Sequence, residues 1–254
     1  MTSTKGALTT LMGALAVASV ATLIGSATAS AGSAPGQPQR IVLLVPGQQP
    51  APGTSSMDIL GDMADELAAE GYTVDTVDVK GLDLYADSRA IQESIESATA
   101  GVEVESLSLV AHSYGGLSSR HYLKALGGSE RIDDYIAIGT PQYGSPGGCV
   151  QLPGFGFDGC PVTPFVAELN NGDDTPGDVE YYSIRSNEEL ADGRLDGGQC
   201  RLAPIPHLEH AVEPADDRVI AAVSSALSGG CPGEFVNELD GEITLASTLF
   251  PAPR

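Results

Sequence analysis

Residues 107–116, Leu-Ser-Leu-Val-Ala-His-Ser-Tyr-Gly-Gly, decide the reading of this chain. Leu107 to Ala111 is a continuous apolar run of the kind found in strands buried on both faces. The segment from Gly116 to Leu126 has a helical pattern and stops at Gly127-Gly128. Between strand and helix stands Ser113, with Ala111 two residues before it and Gly115 two residues after it. A chain that turns this sharply presents one side chain at its tip. Bulk two positions to either side of the tip would strike neighbouring backbone. A helix starting at the turn adds free N–H groups and partial positive charge beside the exposed hydroxyl.

Outward from this turn, strand and helix patterns alternate. Ile41 to Val45 is an unbroken β-favouring run ended by Pro46-Gly47. Residues 57–70 put Leu60, Met63, Leu67 and Ala68 on one helical face, and Gly71 stops them. Thr73 to Val79 alternates like a strand, and residues 87–100 carry a stripe of Ile91, Ile95 and Ala98. Tyr135 to Ile138 and Val179 to Arg185 read as strands, Cys200 to Ala203 as a further one, and Val219 to Leu227 as the last helix, with Asp216 or Asp217 as its cap. Residues 141–178 are rich in Gly and Pro and read as a long loop with a short helix over Pro164 to Leu169. The pattern implies an α/β sheet, mostly parallel, with helices on both faces. No pattern emerges from Cys231 onward.

The ends and the composition set limits. Lys5, the apolar run Ala7 to Ile24 and the small-x-small site Ala29-Ser30-Ala31 form the pattern of a removed export signal. One domain over residues 32–254 and a secreted, extracellular location are the expectation. The run is marginal for a membrane span. Four cysteines in an exported chain imply two disulfides. Three connectivities are open, the most local being Cys149–Cys160 with Cys200–Cys231. No Cys-x-x-Cys spacing supports a zinc site. The net charge of −22, from 34 acidic and 12 basic residues, argues against nucleic acid and anionic membranes as partners. Asp173-Asp174 and Asp216-Asp217 lack the regular ligand spacing of a calcium loop. No metal and no other cofactor is expected.

Ala111-His112-Ser113-x-Gly115-Gly116 resembles the nucleophile elbow of the small secreted bacterial triacylglycerol lipases of the α/β-hydrolase superfamily, lipase class 2. Ala stands where the first Gly of the motif is usual. The similarity extends over residues 40–230. Val45-Pro46-Gly47-Gln48 resembles the family's first-strand oxyanion segment, with Pro46 where His is common, and Gly139-Thr140-Pro141-Gln142-Tyr143-Gly144 resembles its Gly-Thr-Pro-x-x-Gly stretch. The resemblance implies a compact α/β-hydrolase without a separate cap domain. It implies hydrolysis of carboxylic esters through an acyl-enzyme on Ser113, by a monomer that touches a lipid interface transiently.

A serine hydroxyl needs an adjacent base. In this fold the base follows the last strand, which leaves His207 and His210 open. The family's spacing to the final helix favours His210, while spacing from the strand at Cys200 fits His207. His112, turned away from the serine, and His121, in the following helix, read as structural. The carboxylate partner follows the strand ending at Arg185. The family's Tyr-x-Ser-Ile-x-Ser-x-x-acid pattern, laid on Tyr181 to Glu189, puts it at Glu189 where Asp is usual, and leaves Glu188 and Asp192 as alternatives. The oxyanion donors implied are the backbone N–H groups of Gln48 and Tyr114. Phe155, Phe157 and Phe165 are candidates for acyl contacts or for plain loop packing. A short-chain esterase, a polyester or cutin hydrolase, or an inactive binding protein on the same fold are the rival readings.

Overall fold

The computed structural model describes residues 37–49, 53–189 and 193–238. The export-signal reading of residues 1–31 and the alternative acid Asp192 lie outside these. Seven strands form one sheet in the order β2-β1-β3-β4-β5-β6-β7. The strands are β1 (Gln39–Val45), β2 (Thr73–Thr76), β3 (Val104–His112), β4 (Asp134–Ile138), β5 (Glu180–Ile184), β6 (Gly197–Arg201) and β7 (Glu234–Glu238). Every pairing is parallel except β6 with β7.

The helices α1 (Ser56–Ala69), α2 (Leu84–Ala98), α3 (Tyr114–Ala125) and the short α4 (Pro164–Leu169) lie in connections between parallel strands, and α5 (Asp217–Leu227) lies between β6 and the antiparallel β7. Because side chains alternate across a strand, β1 feeds two cores. Ile41, Leu43 and Val45 pack with Ile91 and Ile95 of α2 and Leu123 of α3 on one face. Val42 and Leu44 pack with Leu60, Met63 and Leu67 of α1 and with Val219 and Val223 of α5 on the other. Each such fully buried aliphatic side chain contributes about 1.5–3 kcal/mol. This is the expected arrangement of a mostly parallel sheet with helices on both faces.

The helix starts are set by caps that apolar periodicity does not register. Ser55 closes a capping box with Asp58 at the head of α1. Asp83 accepts the N–H of Ala86, so α2 begins three residues before the expected start. Asp216 caps α5 by accepting from Arg218. Two strands differ from expectation. The β2 ladder ends at Thr76, after which Val77, still donating its N–H to Leu44 O of β1 at 2.9 Å, and Val79 remain buried. The last parallel strand spans Gly197–Arg201 rather than Cys200 to Ala203.

The segment after Cys231 forms β7, an edge strand with Phe235 two-thirds exposed. It lacks the apolar run of a central strand, and its position is set by pairing with β6 and by the Cys200–Cys231 disulfide. The second disulfide joins Cys149 to Cys160.

Between β4 and β5 the chain makes two 3-10 turns, Pro146–Val150 and Phe157–Gly159, and α4, with no domain of its own. This stretch is anchored from beneath. Buried Arg120 on α3 donates to the carbonyls of Gln142 and Leu169 and to the carboxylate of Asp174. Lys124 and the Tyr143 hydroxyl also donate to Asp174, at 3.1 and 2.9 Å. Among the described residues no helix is long and apolar enough to cross a membrane.

Candidate active site

Ser113 sits between β3 and α3 at φ 55°, ψ −127°, a conformation that costs a non-glycine residue about 1–3 kcal/mol. The strain persists because the surroundings over-determine it. The Ser113 N–H donates to Ile138 O of β4 at 2.9 Å, and a side chain at Gly115 would meet Val45 O at 2.7 Å. The hydroxyl opens into a cavity of about 350 Å³ lined by Gly47, Gln48, Ile59, Tyr114, Ser145, Gln151 and His210, among others.

His210 begins a 3-10 turn, His210–Ala215, after β6. Its Nε2 lies 2.8 Å from Ser113 Oγ, and its Nδ1 lies 2.7 Å from Glu189 Oε1. The two loops that carry these groups are joined to each other. Ser186 and Ile205 form an isolated parallel bridge, and the Ser186 hydroxyl donates to Leu208 O at 2.6 Å. The alternatives lie elsewhere. The His207 side chain is 90% exposed, 3.9 Å from exposed Glu188.

Both expected oxyanion residues line the cavity. Tyr114 is the first residue of α3, so its N–H has no acceptor within the helix. The Gln48 side chain is held by Gln151 through two amide hydrogen bonds, 2.6 and 3.1 Å, which tie the first-strand loop to the disulfide-closed loop. None of Phe155, Phe157 and Phe165 is among the cavity-lining residues. Phe165 packs in a core cluster with Leu84, Leu117 and Leu169, and Phe155 is exposed.

His112 does not turn away from the site, as its place on the elbow suggested. Its ring stacks at a tilt on His210, centroids 4.7 Å apart, and its Nε2–H donates to His210 O at 3.0 Å. Burial pushes its pKa down, which suits a neutral ring. His121 packs against Tyr85 and Phe165.

One residue was not foreseen at all. Glu213, fully buried, points at the same histidine: its Oε1 accepts the Ser186 N–H at 3.0 Å and its Oε2 lies 3.2 Å from His210 Nδ1. Its only sequence signal is the spacing His210-x-x-Glu213, which one helical turn converts into proximity.

Burial alone would lower the His210 pKa, but its hydrogen bond to Glu189 and the negative charges of Glu189 and Glu213 outweigh it and push it up to about 10. Burial raises Glu189, only partly offset by the bond from His210. Burial would also raise Glu213, yet the rings of His112 and His210 hold it down at about 2.

His112, His210 and Glu213 place nitrogen and oxygen atoms within 4.8 Å of one another, the only such grouping among the described residues. Its nitrogens are taken: His112 Nε2 by His210 O, and His210 Nδ1 and Nε2 by Glu189 and Ser113. It is therefore not read as a metal centre. Asp174 is committed to Arg120 and Lys124, and Asp216 to the α5 cap and Arg218.

No protein-family model matches the sequence, and no curated protein matches it. Solved structures do. Aspergillus fumigatus lipase B aligns with TM-score 0.58 and 17% identity over 85% of this chain and 58% of that one. Est1E of Butyrivibrio proteoclasticus, solved with ferulic acid, aligns with TM-score 0.53 and 12% identity over 75% and 87%. The product of the Listeria innocua gene lin2722 aligns with TM-score 0.51 and 17% identity over 79% and 98%. The chain thus spans a little over half the length of the Aspergillus lipase. With the parallel sheet, the strained serine at the end of β3 and the order of its elements, these likenesses establish that the chain has the α/β-hydrolase fold.

Proposed function

We propose that this protein is a serine hydrolase of carboxylic esters, of the triacylglycerol-lipase kind. In this reading it is exported after removal of residues 1–31 and works as a monomeric single domain without cofactor or nucleic-acid partner. The observation that carries it is the line of contacts Ser113 Oγ to His210 Nε2, 2.8 Å, and His210 Nδ1 to Glu189 Oε1, 2.7 Å, at a strained elbow.

Ser113 Oγ attacks the ester carbonyl as His210 Nε2 takes its proton. Glu189 holds the ring by its Nδ1–H and offsets the charge it gains. The oxyanion accepts from the N–H groups of Tyr114 and Gln48. The tetrahedral intermediate collapses, the C–O bond to the alcohol breaks, and His210 hands its proton to the leaving oxygen. Water then attacks the acyl-enzyme by the same relay, releasing the acid and restoring Ser113.

Exposed apolar residues adjoining the cavity lining favour a lipid ester over a small soluble one. Val150 and Leu152, the chain neighbours of cavity-lining Gln151, are 87 and 69% exposed, and Val212, next to cavity-lining Ala211, is half exposed. Exposed apolar side chains next in sequence to residues that line the cavity fit a neutral lipid surface. The acidic surface disfavours an anionic one.

The test is turnover of p-nitrophenyl esters from acetate to palmitate, beside Ser113→Ala. Expected is turnover that extends to the long chains and falls at least ~1,000-fold in the variant. Absence of any Ser113-dependent turnover overturns the hydrolase reading. Turnover confined to the shortest chains replaces lipase by esterase.

A further inference from the structure

We propose that Glu213 is a positioning residue for His210: a second carboxylate that, with Glu189, grips the imidazole and biases it toward its charged form. The proposal rests on the ester-hydrolase reading of the site and deepens it.

Two carboxyl groups converge on one ring nitrogen. Glu189 Oε1 and Glu213 Oε2 lie 2.7 and 3.2 Å from His210 Nδ1. That nitrogen has a single proton, and the shorter contact takes it. Glu213 Oε2 is thus a fully buried carboxylate oxygen with no hydrogen-bond donor, although its partner Oε1 is satisfied by the Ser186 N–H. An unsatisfied buried carboxylate oxygen is costly, and a structural role would be served as well by an amide. What a carboxylate supplies here that an amide would not is charge.

The groups facing this one are few. From the end of β3 come His112, 3.6 Å from Oε2 and held neutral by burial, and the Ser113 hydroxyl. From the loop after β5 comes Glu189. On the α5 side, Asp216 and Arg218 are paired with each other, and on the α1 side Asp58 is spent on its own helix cap while Ile59 lines the cavity.

Charge counting then gives the effect. With His210 protonated and both carboxylates ionised, the cluster carries one net negative charge. Losing the last proton leaves two negative charges in one largely buried site, so that loss is delayed to higher pH. Esterolysis needs His210 free of that proton, so the rate rises only as the proton leaves. Glu213→Gln keeps an acceptor for the Ser186 N–H and removes one negative charge, so the proton leaves earlier.

The experiment is the pH profile of kcat/KM on a p-nitrophenyl ester for the wild type and Glu213→Gln. Expected is an acid limb that moves down by about one pH unit or more, a tenfold gain relative to each protein's plateau at a pH on the limb. A limb that stays in place overturns the proposal even if the plateau rate drops, because a merely structural role scales the rate without moving the limb. Should Glu213→Gln fail to fold, the His210 ring resonance titrated in Ser113→Ala gives the same answer without turnover. A midpoint well above about 6.5 is expected, and one at or below it overturns the proposal. If no Ser113-dependent turnover exists, the ester reading fails, while the His210 titration still reports on the Glu213 grip.

Discussion

Gly139 shows how little room the site leaves. It ends β4 at φ 55°, with its N–H on Ile184 O at 2.9 Å. A Cβ there would stand 2.9 Å from Glu189 Oε1 and collide with Glu213 Oε2. Both the left-handed backbone and the two carboxylates therefore demand glycine. Gly139→Ala is expected to cost about 1–3 kcal/mol of stability. By pushing the carboxylates off His210 it also lowers kcat/KM at least ~10-fold. Thermal unfolding together with ester turnover checks this. A variant as active and as stable as the wild type would show that the two glutamates are not packed over Gly139. Ser113 was legible at this scale because its signal is local, five residues at a strand end. His210 and Glu189 needed a family spacing to be picked from their neighbours. Glu213 was not legible, since among 34 acidic residues one more carboxylate reads as a solvated charge. Only the 3-10 turn and the burial of its side chain distinguish it.

Among the elements, the stretch between β4 and β5 depends on one buried hub. Arg120 is 1% exposed, Asp174 4% and the Lys124 side chain 11%, and Asp174 answers both cations. Asp174→Ala leaves a buried guanidinium without its carboxylate, which costs about 3–5 kcal/mol. For a chain of this size that lowers the melting temperature by ~10 °C. The same stretch carries Gln151 to Gln48, so ester turnover falls as well. A melting temperature within ~2 °C of the wild type would show that the stretch is held by other contacts. The sequence offered this segment as a loop with a short helix and Asp173-Asp174 as a poor calcium candidate. The salt bridges joining residues some 50 positions apart are long-range contacts that no local pattern encodes. Edge strand β7 escaped for a related reason: Glu-Phe-Val-Asn-Glu is a strand because β6 lies beside it. The central strands, buried on both faces, were readable because burial writes itself into consecutive apolar residues.

At the scale of the whole molecule, the fold brings three distant segments to the C-terminal ends of adjacent parallel strands. Ser113 follows β3, Glu189 follows β5, and His210 lies beyond β6. Parallel strands place all these loops on one edge of the sheet, which is where an open α/β sheet holds a ligand. The central claim is that Ser113 is the nucleophile of this edge. Its most direct test is to expose the protein to an alkyl fluorophosphonate, which labels activated serines, and to map the adduct by mass spectrometry. One adduct is expected, on the peptide containing Ser113, absent from Ser113→Ala and slowed in His210→Ala but not in His207→Ala. An unlabelled protein, or an adduct on another serine, would contradict it.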